Sequence, residues 1–479
     1  MSNQDITSYI KSGSKARLIP VVADSKKEER ATSVLLSMFM FVPQFAEAVL
    51  KEAGAKVGQR STIQCYSEIV FNNKDYNNLR PDGLIVITLG KKSWSALVES
   101  KIGSNNLKKE QIESYLDLAK EIGADALITI SNQFATLPTH HPVSISKNKT
   151  RSVELFHFSW MSVLSKAVII SNTKSIEDRE QALMLKELMR YLNHPSSGVC
   201  AMTSMNPEWK DICNQVQQGA TLKKSSEEAE ETVNAWHQLF RYVAVDLSMA
   251  TNSKVSVVLS KAHANDALVK LQEDVNELVS NGTLTDELTV PNAASNILVT
   301  ADFTRRVLTL SMKIETPKDK TKPTAPINWL VRQLKSTEDN DVLIRVVWPG
   351  RVPDTQEKLS TVLEDTSFLV PDGMKDLPRN ILVVRVIDLG AKFKQPKNFV
   401  EYTLSSVKDY YRDVGQHLNK WVPKPPKAKD KVVTEVNEEK FIMPQLNSEV
   451  DFGYEGASEP PRLIVEEIVI SSGPGDNVN

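Results

Sequence analysis

Cysteine is scarce in this chain of 479 residues: Cys65, Cys200 and Cys213 are all it has, with no Cys-x-x-Cys pair. That excludes a disulfide framework and a zinc knuckle, and it suits a reducing compartment in which each thiol is a small buried hydrophobe. Long apolar runs are missing too. Met1 to Lys15 is polar, with no apolar signal region, and no stretch approaches the ~18 apolar residues of a membrane span. A soluble cytoplasmic protein with no membrane partner is the expectation. There is no Walker-type glycine loop to suggest ATP hydrolysis and no Gly-x-Ser-x-Gly elbow to suggest a serine hydrolase. A basic excess is also lacking, since the net charge is −2. The acids, however, crowd the end of the chain. Glu435, Glu438, Glu439, Glu449, Asp451, Glu455, Glu459, Glu466, Glu467 and Asp476 outnumber Lys431, Lys440 and Arg462 there. The rest of the chain is therefore net positive, and a nucleic-acid partner stays open.

The chemistry-bearing residues begin at Arg80-Pro81-Asp82-Gly83 and Val98-Glu99-Ser100-Lys101. Trp94 to Ile102 alternates as a strand does. Trp94, Ala96, Val98, Ser100 and Ile102 go to one face, and Ser95, Leu97, Glu99 and Lys101 to the other. Gly83 to Leu89 reads as the preceding strand and Gly90-Lys91-Lys92-Ser93 as the turn, so a hairpin brings Asp82 back beside Glu99. Two carboxylates over one point suit a hard cation with oxygen ligands, Mg²⁺ or Mn²⁺. An adjacent lysine can orient a water and offset charge developing at phosphorus. By itself Glu-x-Lys on a strand is more often a solvated surface pair. The surroundings raise its weight. Ile63 to Phe71 is a further strand. Asn106 to Ile122 has a helical period, with Leu107, Ile112, Tyr115, Leu116, Ala119 and Ile122 on one stripe. Gly123 stops that helix, and Ala126 to Ser131 is a short buried strand.

This order of elements and residues resembles the core of the PD-(D/E)XK nuclease superfamily, the restriction-endonuclease-like fold, over about residues 1–200. The resemblance implies an α/β fold with an αβββαβ core. It implies that Asp82 and Glu99 ligate the metal and that Lys101 positions the attacking water. A further acid is implied on the helix before the first strand, where Lys26 to Leu36 offers both Glu28 and Glu29. Gln111 and Tyr115, four residues apart on one helical face, match a Gln-x-x-x-Tyr pair that some branches carry. The implied activity is a Mg²⁺-dependent nuclease acting on DNA, with RNA left open, in defence against foreign DNA. The alternative is a nucleic-acid-binding or assembly protein that uses the same fold without cleavage. Lys91, Lys92, Lys108 and Lys109 flank the site in this reading and could contact phosphates, although each alone more simply serves solubility.

Beyond a strand at Val153 to Phe158, Ser159 is a plausible N-cap for a helix over Met161 to Ile170, and a second helix spans Ile176 to Leu192. Residues 201–290 read as a helical connector, with helices over Glu227 to Val245 and Ala264 to Val279 and an unsettled segment at Lys254 to Leu259. Residues 291–422 read as an α+β domain with a mixed sheet. Its expected elements are a hairpin (Ile297 to Phe303, Val307 to Ile314), helix Ile327 to Leu334, strand Val342 to Val347, helix Thr355 to Leu363, strand Ile381 to Ile387 and helix Phe399 to Trp421. Residues 423–479 read as a disordered acidic tail. A second copy or a protein partner could bind through the helical region, the α+β domain or the tail. His140-His141 lacks chelating spacing, and His157 reads as a satisfied core or surface residue.

Overall fold

The alternating segments of the first 200 residues build one six-stranded sheet in the order β1-β2-β3-β4-β5-β6. Its strands are β1 (Ile10–Lys15), β2 (Thr62–Phe71), β3 (Gly83–Leu89), β4 (Lys92–Ser100), β5 (Ala126–Ser131) and β6 (Glu154–Ser159). Strands β1 to β4 pair antiparallel, whereas β4, β5 and β6 run parallel. Helix α1 (Lys27–Phe41) precedes β2, followed by α2 (Pro43–Leu50). Helix α3 (Lys109–Ile122) is the crossover from β4 to β5, and α4 (Trp160–Asn172) and α5 (Arg179–Asn193) follow β6. Alternation along β4 sorts the two faces. Ala96 and Val98 pack with α1, α2, α4 and α5, while Leu97 packs with the α3 stripe of Ile112, Tyr115, Leu116 and Ala119. Gly123 ends α3 in a left-handed conformation, φ 75°. The Ser159 hydroxyl accepts from the Ser162 N–H and caps α4. The edge strand β1 was not expected, because its polar residues carry no apolar alternation.

The computed structural model describes residues 10–15, 18, 25–58, 60–72, 76, 78–173, 175–337 and 341–423. The acidic tail expected from residue 424 onward lies outside them. The described residues form one compact unit. Among the described residues no single helix is long and apolar enough to cross a membrane.

A second sheet has seven strands in the order β12-β11-β13-β10-β9-β8-β7. These are β7 (Ser256–Val257), β8 (Thr283–Thr289), β9 (Ile297–Asp302), β10 (Val307–Glu315), β11 (Val342–Val347), β12 (Thr355–Lys358) and β13 (Asn380–Asp388). The helices here are α6 (Pro207–Gln217), α7 (Glu227–Thr251), α8 (Lys261–Asn265), α9 (Ala267–Asn281), α10 (Thr324–Val331), α11 (Leu359–Glu364) and α12 (Pro396–Asp413).

Several expectations are corrected here. The second sheet is antiparallel throughout, not mixed. Residues 201–290 do more than connect: β7 and β8 join the sheet, and α6, α7 and α9 supply its core through Trp209, Trp236, Phe240 and Leu278. The helix expected over 264–279 breaks at Asp266, whose side chain accepts from the Leu268 N–H and starts α9. Thr355 to Lys358 is strand, because pairing with β11 overrides the helical period. Helix α12 ends at Asp413, where Val414 leaves the helical conformation with φ −125°. Cys65 and Cys213 are buried, but Cys200 is exposed, in the loop after Gly198.

Candidate active site

Strand pairing fixes the first part of the site. Gly83 stands opposite Val98 and Leu84 opposite Leu97, so the next rung sets Asp82 opposite Glu99. Glycine at 83 leaves room for α1, since a Cβ there would lie 2.6 Å from Leu36 Cδ1 and 3.3 Å from the Tyr66 carbonyl oxygen. This close approach brings the first turn of α1, and with it Glu28, over the strand ends. Ligand atoms of Glu28, Asp82 and Glu99 all lie within 4.8 Å of one another. Residues 28, 82 and 99 thus reach one point from a helix N-terminus and two strand ends.

Hydrogen bonds hold each group in place. Asp82 Oδ2 accepts from the Ser100 N–H at 2.7 Å and the Ser100 hydroxyl at 3.1 Å. Glu99 Oε1 accepts from Lys101 Nζ at 2.5 Å and from Gln111 Nε2 at 2.7 Å. Lys101 Nζ also reaches Glu28 Oε1 at 2.9 Å and the Ser100 carbonyl at 3.0 Å. The Lys101 backbone is pinned at both ends, its N–H donating to the Ile130 carbonyl at 2.8 Å and its carbonyl accepting from Trp160 Nε1 at 2.9 Å. Tyr115 donates to the Arg80 carbonyl and accepts from Gln111. Its hydroxyl also favours the ionised Glu99.

The electrostatics follow from crowding three carboxylates out of water. Burial raises the Asp82 carboxyl well above its usual range and Glu99 adds to this, against the opposing Ser100 N–H and Lys101. Burial likewise raises Glu99, with Lys101 opposing and Glu28 adding. Burial alone would lower the Lys101 ammonium, but Glu99, Glu28 and Asp82 outweigh it and hold the pKa above the ordinary lysine value. Among the described residues, the Lys101 ammonium is the cation paired with these carboxylates.

Whether the residues fit a divalent cation is answered by the donor set. All three groups offer oxygen, the preference of Mg²⁺ and Mn²⁺. Glu99 is 1% exposed, and its Oε2 is buried with no hydrogen-bond partner. A buried carboxylate oxygen without a donor is costly unless something positive occupies its other side. The set fits.

The structure brings together Glu28, Asp82, Glu99, Lys101, Gln111 and Tyr115, and it leaves Glu29 aside. One residue round the helix from Glu28, Glu29 pairs with Lys26 at 2.6 Å. Lys91 and Lys92 are also corrected. They lie at the far end of the β3–β4 hairpin, about six to nine residues and roughly 20–30 Å along the strands from the carboxylates. Lys108 and Lys109 do stand at the start of α3, within a turn of Gln111. Residues that sequence reasoning missed are Ser100, Trp160 and Asn105, whose side chain donates to Glu28 Oε2 at 3.5 Å. A further miss is Glu68, which has φ 55° within β2 and pairs with Arg80 at 2.7 Å. None of these carries a motif, and their roles come from pairing and packing.

His237, Asp274 and Asp286 form another close group, on α7, α9 and β8. Lys270 pairs with both aspartates, at 2.7 and 3.0 Å, so this cluster already holds a cation of its own. His141 and His157 are joined through Thr129. The Val143 N–H donates to His141 Nδ1, Thr129 Oγ1 lies 2.9 Å from both His141 Nε2 and His157 Nδ1, and His157 Nε2 meets the Gln133 carbonyl. Of the two expectations for His157, a satisfied core or surface residue, the structure shows the core one.

No family model, no curated protein and no solved structure matches the chain.

Proposed function

We propose that this protein is a divalent-cation-dependent phosphodiesterase that cleaves DNA, with residues 1–200 forming a PD-(D/E)XK-type core. The observation that carries the reading is the convergence of Glu28, Asp82 and Glu99 around one ammonium, with Glu99 Oε2 left without a donor. Glu28, Asp82 and Glu99 would hold a Mg²⁺ or Mn²⁺ ion. Such an ion, when bound, neutralises charge on the phosphate and acidifies water.

The chain's own groups then have separable tasks. Lys101 stays an ammonium at neutral pH, because the carboxylates around it hold its proton. It therefore acts as a hydrogen-bond donor and not as a base, orienting water and stabilising charge that develops on the phosphate oxygens. In the hydrolysis a water oxygen bonds to phosphorus, the phosphorus–oxygen ester bond breaks, and the departing oxygen takes up a proton. Gln111 fixes the carboxylate plane of Glu99, and Ser100 fixes Asp82. Tyr115 ties that end of α3 to the backbone before Asp82. A role in defence against foreign DNA, and work in the cytoplasm, belong to the same proposal.

The test is incubation of the full chain with supercoiled, linear and single-stranded DNA and with RNA, in Mg²⁺, Mn²⁺ or EDTA. Cation-dependent cleavage of DNA that is lost in Glu99→Gln and Asp82→Asn, with unchanged circular dichroism, is the expected result. Equal cleavage by Glu99→Gln would overturn the mechanism. Tight DNA binding with no cleavage under any condition would point to the non-cleaving alternative.

A further inference from the structure

A pocket of about 340 Å³ opens where α4 and α7 face each other. Its volume is at the low end for small-molecule sites, which run roughly 300–1,000 Å³. The wall is unusual in charge. Glu52 is shared by two ammonium groups, Lys166 at 3.0 Å and Lys254 at 2.5 Å. Arg241 is the third cation in the wall. Its Nε donates to the Thr136 hydroxyl at 2.7 Å and its Nη1 to the Phe134 carbonyl at 3.1 Å. Among the described residues no carboxylate lies within ion-pair distance of it. His157, also in the wall, is held neutral, because burial pushes its pKa down to about 3. Three cations therefore face one anion.

Arg241 is not needed as a cation to hold its loop. One turn earlier, Gln238 already clamps Phe134 reciprocally, accepting from its N–H at 2.7 Å and donating to its carbonyl at 3.0 Å. A neutral side chain does that task, whereas a secluded guanidinium costs desolvation unless an anion offsets it. The anion Arg241 feels is Asp286, and that carboxylate is engaged by Lys270. Nearby, Ser165 is 4% exposed and also lines the pocket. The wall also has an aliphatic part, Ile169, Ile170, Val245 and Val257, beside the hydroxyl-bearing Ser159, Ser162, Ser248 and Ser256.

We infer that this pocket binds a small organic phosphate: a phosphomonoester whose anionic group sits among Arg241, Lys166 and Lys254, and whose less polar body lies against the aliphatic wall. Two negative charges match the surplus of the wall. Arginine and lysine supply charge-assisted donors, and Ser165 supplies a neutral one. This site is separate from the carboxylate centre and does not depend on that centre's activity, because binding is read directly.

The experiment is calorimetric titration of the full chain with adenosine 5′-monophosphate, glucose 6-phosphate, adenosine and inorganic phosphate as the probes. At least one of the two esters should bind, and more tightly than adenosine or inorganic phosphate. Preference between the esters tells a nucleotide source from a sugar phosphate. Arg241→Gln keeps a loop-pinning amide and removes the charge, and should weaken ester binding at least tenfold. Lys254→Glu, on a side chain 70% exposed and so safe for folding, should weaken it by a similar factor. Binding of neither ester, adenosine binding as tightly as its monophosphate, or an undiminished affinity in Lys254→Glu would each overturn the proposal.

Discussion

Replacing Lys101 with methionine tests the candidate site without any assumption about substrate. Three carboxylates within 4.8 Å of one another repel by about 3.5 kcal/mol or more per pair at an effective dielectric of ~20. The ammonium contacts at 2.5 and 2.9 Å return about 6 kcal/mol each on the same basis. Repulsion and attraction nearly cancel, so Lys101 is what permits the cluster to be ionised. Without it the folded protein escapes the repulsion by binding a proton. That caps the cost at about 1.4 kcal/mol for each pH unit above a carboxylate's ordinary pKa.

The sign is then determined. Burial already raises Asp82 and Glu99, and loss of Lys101 raises them further. An acid whose folded pKa is raised leaves stability intact below its ordinary value and erodes it as pH rises through the folded value. Lys101→Met should therefore stay within about 1.5 kcal/mol of wild type at pH 5 and fall behind by up to about 5 kcal/mol at pH 8. Denaturant unfolding at both pH values, with EDTA or Mn²⁺, measures this. Mn²⁺ at a hundred times its dissociation constant adds about 2.7 kcal/mol. It should stabilise the variant more than the wild type, because no ammonium competes for the oxygens. A deficit that is the same at pH 5 and pH 8, with no added cation response, would mean that the carboxylates do not converge.

Other expected outcomes concern the frame and the pH response. Trp160→Phe removes the donor to the Lys101 carbonyl from a fully buried position and should cost about 1–3 kcal/mol in chemical denaturation. Gly198→Ala places a Cβ 3.0 Å from Ile102 Cδ1 at φ 80°, beside the carbonyl that accepts from the Gly103 N–H. A loss of about 1–3 kcal/mol in the same assay is expected. Burial lowers His141 to about 4 and His157 to about 3, so both are neutral when folded and take up protons on unfolding. The stability they contribute is present above their ordinary value near 6.5 and is lost as pH falls below it. His157→Gln should flatten the slope between pH 6.5 and 4.5 by up to one proton, and an unchanged slope would show that His157 is already charged in the fold.

The sheet of the first half was legible because its strands are apolar on a period of two and its helices are punctuated by glycine and serine caps. Asp82, Glu99 and Lys101 could be placed because one hairpin joins them, and Gln111 and Tyr115 because one helix carries both. Glu28 could not be separated from Glu29. The two differ by a rotation of about 100° on α1, and only the packing of Leu36 against Gly83 decides which one faces the strand ends. The misplacement of Lys91 and Lys92 has a plain cause: nearness in sequence to Glu99 was read as nearness in space, across a hairpin that runs the other way. Thr355 to Lys358 could not be read locally, because its strand exists only through a partner. Arg241 and Glu52 lie 189 positions apart, and no spacing rule unites them.

The pinning of Lys101 at both its amide and its carbonyl sets the tempo of the site. With the strand clamped by Ile130 and Trp160, and the carboxylates by Ser100 and Gln111, the free coordinate at the centre is the lysine side chain itself. Arming such a centre takes a swing about four carbon–carbon bonds with release of the contacts to Glu28 and Glu99, and no backbone rearrangement of the microsecond-to-millisecond kind that lids and loops need. The slow event is then outside the protein, in the stripping of water from an arriving ion. Ions would be sorted by how readily they shed their hydration shell before they are sorted by how well they fit.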